Sequence, residues 1–561
     1  MPMDGPGPSG ERTPGIRAGR GALIGCAALV ILAVYHLTAY PLTWFDEGIH
    51  LHVPKTLVRF GVYADYSSDG FRHYGPTIGV GPTVMLPVAA AFWAWGIGLL
   101  QARLVMAAFF VAAVTAAFLL ARRLGGPRLA WAAAALLVTS RGVSLVEYGR
   151  QVLGEVPGLA LMLAGLLVWF PAWSRPTLAR LVAAGLLLGL ATVTKHVYLL
   201  VLAPTLLAAW ILNLVYYRTS AQRVFLVPGI VTATCFAAWQ ACLIAYLGPA
   251  TAAENLRLFR EFTAGAALVF SPDIMARALG ELTGFAVFAG ALWPALIYGA
   301  VGQLRRNAAA QQWGVLWWAV VFNLAWFVVA STGWPRYAFP GLAIGCFLVA
   351  RFFHDVTDGF RWRSWRTVGA AAGGDAGVVR QGLQAAALAW LVLIIIVPSA
   401  VVTVRPVLFP PENAPAEMAE YLDRHVSADA LVETWEPELG FLTDHRYHSP
   451  PARLLLTAVQ HVWQGGPSPR TAYDFTADGL PEYVLEGAFS RYVGVYASEV
   501  LGRDYRPVVT IGAYELHRRI ARPAGPDAPH SSGSRLEPIT GAENPATPGM
   551  SADTVTPPGR H

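Results

Sequence analysis

Residues 21–48 read GALIGCAALVILAVYHLTAYPLTWFDEG, a charge-free run closed by Trp44 and Phe45 and then by an acid pair, Asp46 and Glu47. A run of that length matches the roughly 20 residues a helix needs to cross a bilayer. Arg12, Arg17 and Arg20 precede it in the manner of a signal peptide. The run is longer than a signal core, however, and no small-residue cleavage site precedes Trp44, so it reads as a retained first span.

Similar runs recur as far as Val404, and the whole chain has the same character. Of its 561 residues, 55% are hydrophobic and only 14% charged, against roughly a quarter charged in soluble proteins. Backbone polar groups in lipid must be satisfied within the segment, so the runs are helices. The fold class is therefore an all-α polytopic membrane protein of about 11–13 transmembrane helices. A net charge of +6 without a basic soluble face gives no nucleic-acid partner. Cys26, Cys235, Cys242 and Cys346 all lie in apolar runs and read as small packing residues.

Lys and Arg mark cytoplasmic loops near membrane spans. Basic clusters fall at Arg122, Arg123 and Arg128; at Arg175 and Arg180; at Arg218 and Arg223; at Arg305 and Arg306; and from Arg351 to Arg380. Placing them all inside makes the spans alternate: 21–40 outward, 103–121 inward, 129–146 outward, 157–172 inward, 178–194 outward and 197–217 inward. The series continues with 224–247 outward, 278–301 inward, 312–330 outward, 337–351 inward and 382–404 outward. Segment 76–100 would upset the parity as a full span. Broken by Gly and Pro in its first half, it reads as a helix dipping into the outer interface. Carboxylates between residues 12 and 354 occur only from Asp46 to Asp69, Glu147 to Glu155 and Glu254 to Glu281, all outside in this arrangement. That pattern points to an acid-lined cavity on the outer face.

Four regions follow: a Pro/Gly-rich cytoplasmic tail over 1–20, a membrane domain over 21–404, an extracytoplasmic α/β domain over 405–521 and a disordered tail over 522–561. The inner loop 356–380 reads as a flexible connection. In the α/β domain, Pro415 to His425 has the pattern of an amphipathic helix. Ala430 to Glu433, Tyr483 to Leu485, Tyr492 to Tyr496 and Val508 to His517 have the pattern of short strands.

The residues with chemical potential gather in the outer loops. Asp46 and Glu47, between aromatic residues and an apolar stretch, can deprotonate a hydroxyl; ordinary solvated loop charge is the plain alternative. Glu147, Arg150 and Glu155 share one outer turn, and Glu155 opens the next helix just before Val156 and Pro157. There it can orient a sugar hydroxyl or hold a cation, or simply complement the helix dipole. Lys195, in TVTKHVY after a short run, sits slightly below the outer surface and calls for an anion such as phosphate, unless it snorkels to the interface. Arg336, in GWPRYAFP, can grip phosphate through two nitrogens. Arg72 and His73, in GFRHYGP, are weaker candidates of the same kind. No P-loop, GxGxxG, HExxH, paired CxxC or GxSxG motif is present.

In this order, a first span ending in Asp46–Glu47, an Arg-containing turn with Glu155 before Pro157, Lys195 after a short span and Arg336–Tyr337 three residues before Pro340 resemble the integral-membrane glycosyltransferases of the C-type fold. The likeness is to members near glycosyltransferase family 39, whose relatives include the protein O-mannosyltransferases and the lipid A aminoarabinose transferase. It covers about 21–404. Tyr74–Gly75–Pro76 departs from the Pro-Pro pattern common in relatives.

The resemblance implies an inverting transfer of a glycosyl group from a polyprenyl-phosphate sugar to an acceptor hydroxyl on a lipid, protein or cell-wall polymer. The site would lie on the outer face of the plasma membrane. Asp46, Glu47 and Glu155 would be the catalytic acids, and Lys195, Arg336, Arg150, Arg72 and His73 would bind the donor phosphate. No cofactor is certain; some members use a divalent metal, which Asp46 and Glu155 would hold. The alternatives are a lipid or sugar transporter or flippase, whose charges would lie near the bilayer midplane, and a non-catalytic scaffold for the 405–521 domain.

Overall fold

The computed structural model describes residues 20–73, 79–360, 375–477 and 479–520. Both terminal tails, the Tyr74–Gly75–Pro76 loop and most of the 356–380 connection lie outside the described residues.

Among the described residues, seven helices are long and apolar enough to cross a membrane, and four apolar helices are shorter: Leu23–Val34, Pro82–Trp95, Leu178–Thr194 and Leu292–Gly302. The chain is a multi-pass membrane protein. Two long helices are broken by their own sequence. Leu99–Thr139 loses helical dihedrals at Gly125 and Gly126, just before Pro127. Arg223–Phe262 breaks at Gly248, with φ +75°, just before Pro249. In each case glycine adopts a conformation the helix excludes, and the following proline withholds an amide donor.

The described part of segment 76–100 forms the 14-residue helix Pro82–Trp95, ended by Gly96, and the start of helix Leu99–Thr139. The expected span 278–301 is not one helix. Pro272–Thr283 stops at Gly284, turns and the short 3-10 helix Phe288–Gly290 follow, and Leu292–Gly302 resumes with 11 residues. The reason lies in the residues: Arg277 and Glu281 make the first half amphipathic, and Arg277 donates to the carbonyls of Thr332 and Trp463.

The basic loops meet one another at one end of the helices. Arg128 donates to the Gly359 carbonyl at 3.0 Å, and Arg306 lies over the Tyr216 ring. Arg175 lies in the turn between helices Glu155–Ala172 and Leu178–Thr194, and Arg180 in the first turn of the second. The opposite ends of those two helices carry Glu155 and Lys195.

Beyond the first span, helix Phe45–Phe60 starts after an extended Trp44 and stops at Gly61, which takes φ +72°. A hairpin follows, of β1 (Asp65–Ser67) and β2 (Gly70–Arg72). The C-terminal region is a mixed sheet of β3 (Leu431–Thr434), β4 (Arg446–His448), β5 (Tyr483–Glu486), β6 (Tyr505–Ile511) and β7 (Tyr514–Arg519), in the order β4-β3-β5-β7-β6. β3 is parallel to β4 and β5; the other pairs are antiparallel.

Helix Ala414–His425 covers one face through Met418 and Leu422. The stretch from Tyr492 to Tyr496 is not a strand: Ala488–Val493 is a short helix. Val508 to His517 is two strands instead of one, because Gly512 takes φ +56° and turns the chain back.

This α/β layer is fused to helix Phe45–Phe60. Phe45 and Ile49 join Trp435, Leu454 and Val484 in one apolar core. Lys55 crosses to helix Pro437–Leu442 and donates to the carbonyls of Gly440, Phe441 and Thr443 at 2.9–3.1 Å, satisfying the open end of that helix. The approach is close enough to demand glycine at position 48: a Cβ there would lie 2.3 Å from the Glu438 amide nitrogen. Gly48→Ala therefore destabilises the protein by about 1–3 kcal/mol through overpacking. In thermal unfolding in detergent it lowers Tm, whereas Gly229→Ala, whose Cβ meets nothing in its helix, leaves Tm the same or slightly higher.

Candidate active site

Asp46 and Glu47 stand in the first turn of helix Phe45–Phe60, and Glu155 is the first residue of helix Glu155–Ala172. The helix dipole favours anions at all three positions. Lys195 is the residue on which helix Leu178–Thr194 ends. Arg336 lies in the short turn Pro335–Ala338 that opens helix Phe339–Val356. Asn323 fixes that turn by donating to the Tyr337 carbonyl at 3.2 Å while accepting the Gly341 amide at 2.8 Å.

Four of these side chains meet. Arg336 donates through Nη1 to Asp46 and through Nε to Glu155 Oε1, and its Nη2 lies 3.2 Å from Glu155 Oε2. Lys195 donates to the same Oε1. Two acids and two cations thus form one balanced group. Its members differ in access. Glu155 and Arg336 are buried, whereas the Asp46 and Lys195 side chains are 24% and 17% exposed. An entering molecule therefore meets Asp46 and Lys195 first.

Aromatic rings wall the guanidinium: Trp44, Tyr148 and Trp334 lie 5.8, 5.8 and 5.2 Å from Arg336 Cζ. Ring faces attract the cation and keep water from it. Glycine lets the Glu155 helix close on its neighbour, since a Cβ on Gly158 would lie 2.1 Å from the Tyr198 ring.

The remaining candidates are engaged elsewhere. Glu47 points away from Asp46 and pairs with Arg103, with Nε–Oε1 at 2.9 Å and Nη2–Oε2 at 2.6 Å, both side chains fully buried. It also accepts the Val152 amide at 3.1 Å. Glu47 is accordingly a positioning residue that ties the Asp46 helix to the turn leading into Glu155. Arg150, expected at a phosphate, is buried and donates to the carbonyls of Leu32, Tyr35 and Tyr40, where the first helix ends. Unsatisfied carbonyls at a helix end, with the negative end of the dipole, are favourable partners for a guanidinium. Arg72 spends its donors on Asp69, Ser449 and Pro450. His73 lies beside the Tyr246 ring.

Sequence reasoning did not single out Arg103, the aromatic wall or His50. His50 follows Asp46 by one helical turn and hydrogen-bonds the Val152 carbonyl through Nδ1 at 2.8 Å. Burial pulls its imidazole down to about 4, so it is neutral. Helical spacing from Asp46 was the available signal for His50. Arg103 offered only that it is a lone charge inside an apolar run.

Asp46 and Glu155 do not make a metal site by themselves. Both Glu155 oxygens already face Arg336, Lys195 takes one of them, and no third donor closes on the pair among the described residues.

No family model matches the chain, and no curated protein matches its sequence. Solved structures do. ArnT from Cupriavidus metallidurans, bound to undecaprenyl phosphate, superimposes with a TM-score of 0.56 at 15% identity, covering 91% of this chain and 100% of that one. The Archaeoglobus fulgidus oligosaccharyltransferase in the apo form gives 0.54 at 15% identity, covering 84% and 70%. The archaeal oligosaccharyltransferase AglB from the same organism, in complex with an inhibitory peptide and a dolichol-phosphate, gives 0.51 at 13% identity, covering 89% and 74%.

Removing one partner of a buried ion pair strands the other, at a cost of about 3–5 kcal/mol. Arg103→Ala should therefore unfold the protein at distinctly lower temperature in detergent. Combining it with Glu47→Gln should recover part of the loss, which a double-mutant cycle reads directly. The path of the chain, with its acids and bases gathered at one end of a helical bundle and an α/β layer after it, is that of the membrane glycosyltransferases of the C-type fold.

Proposed function

We propose that the protein is an inverting glycosyltransferase that takes its sugar from a polyprenyl phosphate and delivers it to a hydroxyl acceptor on the outer face of the plasma membrane. The observation that carries this reading is the balanced group of Asp46, Glu155, Lys195 and Arg336 at the helix ends. The fold shared with a structure bound to undecaprenyl phosphate and another holding a dolichol-phosphate supports a lipid-phosphate donor. A transporter would need such charges near the middle of its helices, and these stand at the ends.

The chemistry follows from which members of the group are held and which can be reached. The acceptor hydroxyl approaches Asp46, the more exposed acid, and gives its proton to the carboxylate. Its oxygen bonds to the anomeric carbon from the face opposite the phosphate, and the carbon–oxygen bond to phosphate breaks with its electron pair leaving on the phosphate. Lys195 and Arg336 neutralise that charge. Glu155 keeps both cations aimed at it beforehand, so little reorganisation is needed as charge develops. In the empty group Arg336 holds Asp46; an arriving phosphate competes for the guanidinium and releases the carboxylate to act as base.

Asp46→Asn removes the base and should lower transfer from a labelled polyprenyl-phosphate sugar by about 100-fold or more, in a protein that still folds because Arg336 keeps Glu155 as its partner. Near-normal turnover of this variant in a reconstituted assay would remove Asp46 from the mechanism. The sidedness has its own test. In a cysteine-free background, a cysteine at Glu420 should react with an impermeant maleimide on intact cells, while one at Arg175 should react only after lysis.

A further inference from the structure

The C-terminal sheet carries a group that the proposed reaction does not use. Glu486 on β5 and Glu515 on β7 are directly opposed in the antiparallel register, and His517 follows Glu515 on the same face of β7. Like charges facing each other across a strand pair are destabilising. Yet both carboxylates turn toward the imidazole: His517 Nε2 lies 3.3 Å from Glu486 Oε2 and 3.8 Å from Glu515 Oε1.

His517 is only 8% exposed, and its Nε2 makes no hydrogen bond among the described residues. A buried ring nitrogen left without a hydrogen bond is uncommon and costly. Among the described residues, this is the one set of three or more His, Cys, Asp or Glu donors with ligand atoms within 4.8 Å of one another.

We propose that Glu486, Glu515 and His517 form a site for a divalent transition metal of the zinc class, clipping the β6–β7 hairpin to β5. The spacing suits that ion. Bonds of roughly 2.0–2.2 Å set two tetrahedral ligands about 3.3–3.6 Å apart, close to the two separations from Nε2. The imidazole selects zinc-like ions over magnesium and calcium, which prefer oxygen alone. Arg491 donates to Glu515 Oε2 at 2.6 Å, which orients the carboxylate and leaves Oε1 for the metal. The carboxylates remain partly exposed, at 17% and 29%, so water can complete the shell. The proposal is independent of the transfer reaction.

The test uses the full-length, tag-free protein in detergent, stripped with chelator and titrated with Zn²⁺ by calorimetry. One equivalent should bind and raise Tm. His517→Gln should weaken binding at least tenfold, Glu486→His should retain it, and Asp46→Asn should leave it unchanged. X-ray absorption of the zinc-loaded wild type gives a readout that needs no variant, and should show one imidazole among oxygen ligands. The site is overturned if the wild type binds no zinc, if His517→Gln binds as the wild type does, or if the shell is oxygen only.

Discussion

The buried pair of Glu47 and Arg103 is the constraint on which the rest of the arrangement depends. Two charges removed from water are stable only when each satisfies the other and the spare donors and acceptors are also used. Here they are: Arg103 reaches the Leu37 carbonyl at 2.7 Å, and Glu47 takes the Val152 amide. The first span, the Asp46 helix, the long helix from Leu99 and the turn before Glu155 are thereby held at one point. Asp46 precedes Glu47 by one residue, and Glu155 follows Val152 by three. Fixing Glu47 to Val152 brings the two other acids within reach of a single guanidinium.

Arg336 then joins what this anchor has aligned. It arrives from the far end of the sequence, 290 residues after Asp46 and 181 after Glu155. The aromatic wall of Trp44, Tyr148 and Trp334 suits a guanidinium better than an ammonium, because a planar, weakly hydrated cation can lie against rings while its edge donates to carboxylates. Lys195, left at the mouth, is a compact charge on a flexible stem. The division gives one cation held between two acids and rings and one at the more exposed edge of the group.

The α/β layer is part of the same machine and not an appendage. Its core takes in Phe45 and Ile49, which lie on the helix that carries Asp46. Lys55 and His52 bind helix Pro437–Leu442 from the same helix, His52 through the Pro437 carbonyl at 2.8 Å. Burying an ammonium against three carbonyls costs desolvation, which those hydrogen bonds offset. The position of Asp46 thus depends on a layer encoded almost 400 residues later. That layer includes its own polar knot, in which buried Glu433 accepts from Tyr473 at 2.8 Å and from Tyr496 at 3.1 Å.

Much of this was legible in the amino-acid order because lipid imposes a strong rule: apolar length means helix, and basic loops mark one side. The same reading brought Asp46, Glu155, Lys195 and Arg336 forward, since a charge bordering an apolar run must have a partner. It could not say which partner. Arg150 and Arg336 both stand as phosphate candidates in sequence, Arg336 the stronger, yet one closes a helix end and the other faces two acids. The 278–301 run and the Tyr492 to Tyr496 segment misled for a related reason. Local hydrophobicity is similar in a span, a broken helix and a strand, and only packing against distant elements decides among them. Pairing across hundreds of residues is a property of the folded chain, because the free energy of burying a charge is set by whatever stands opposite it.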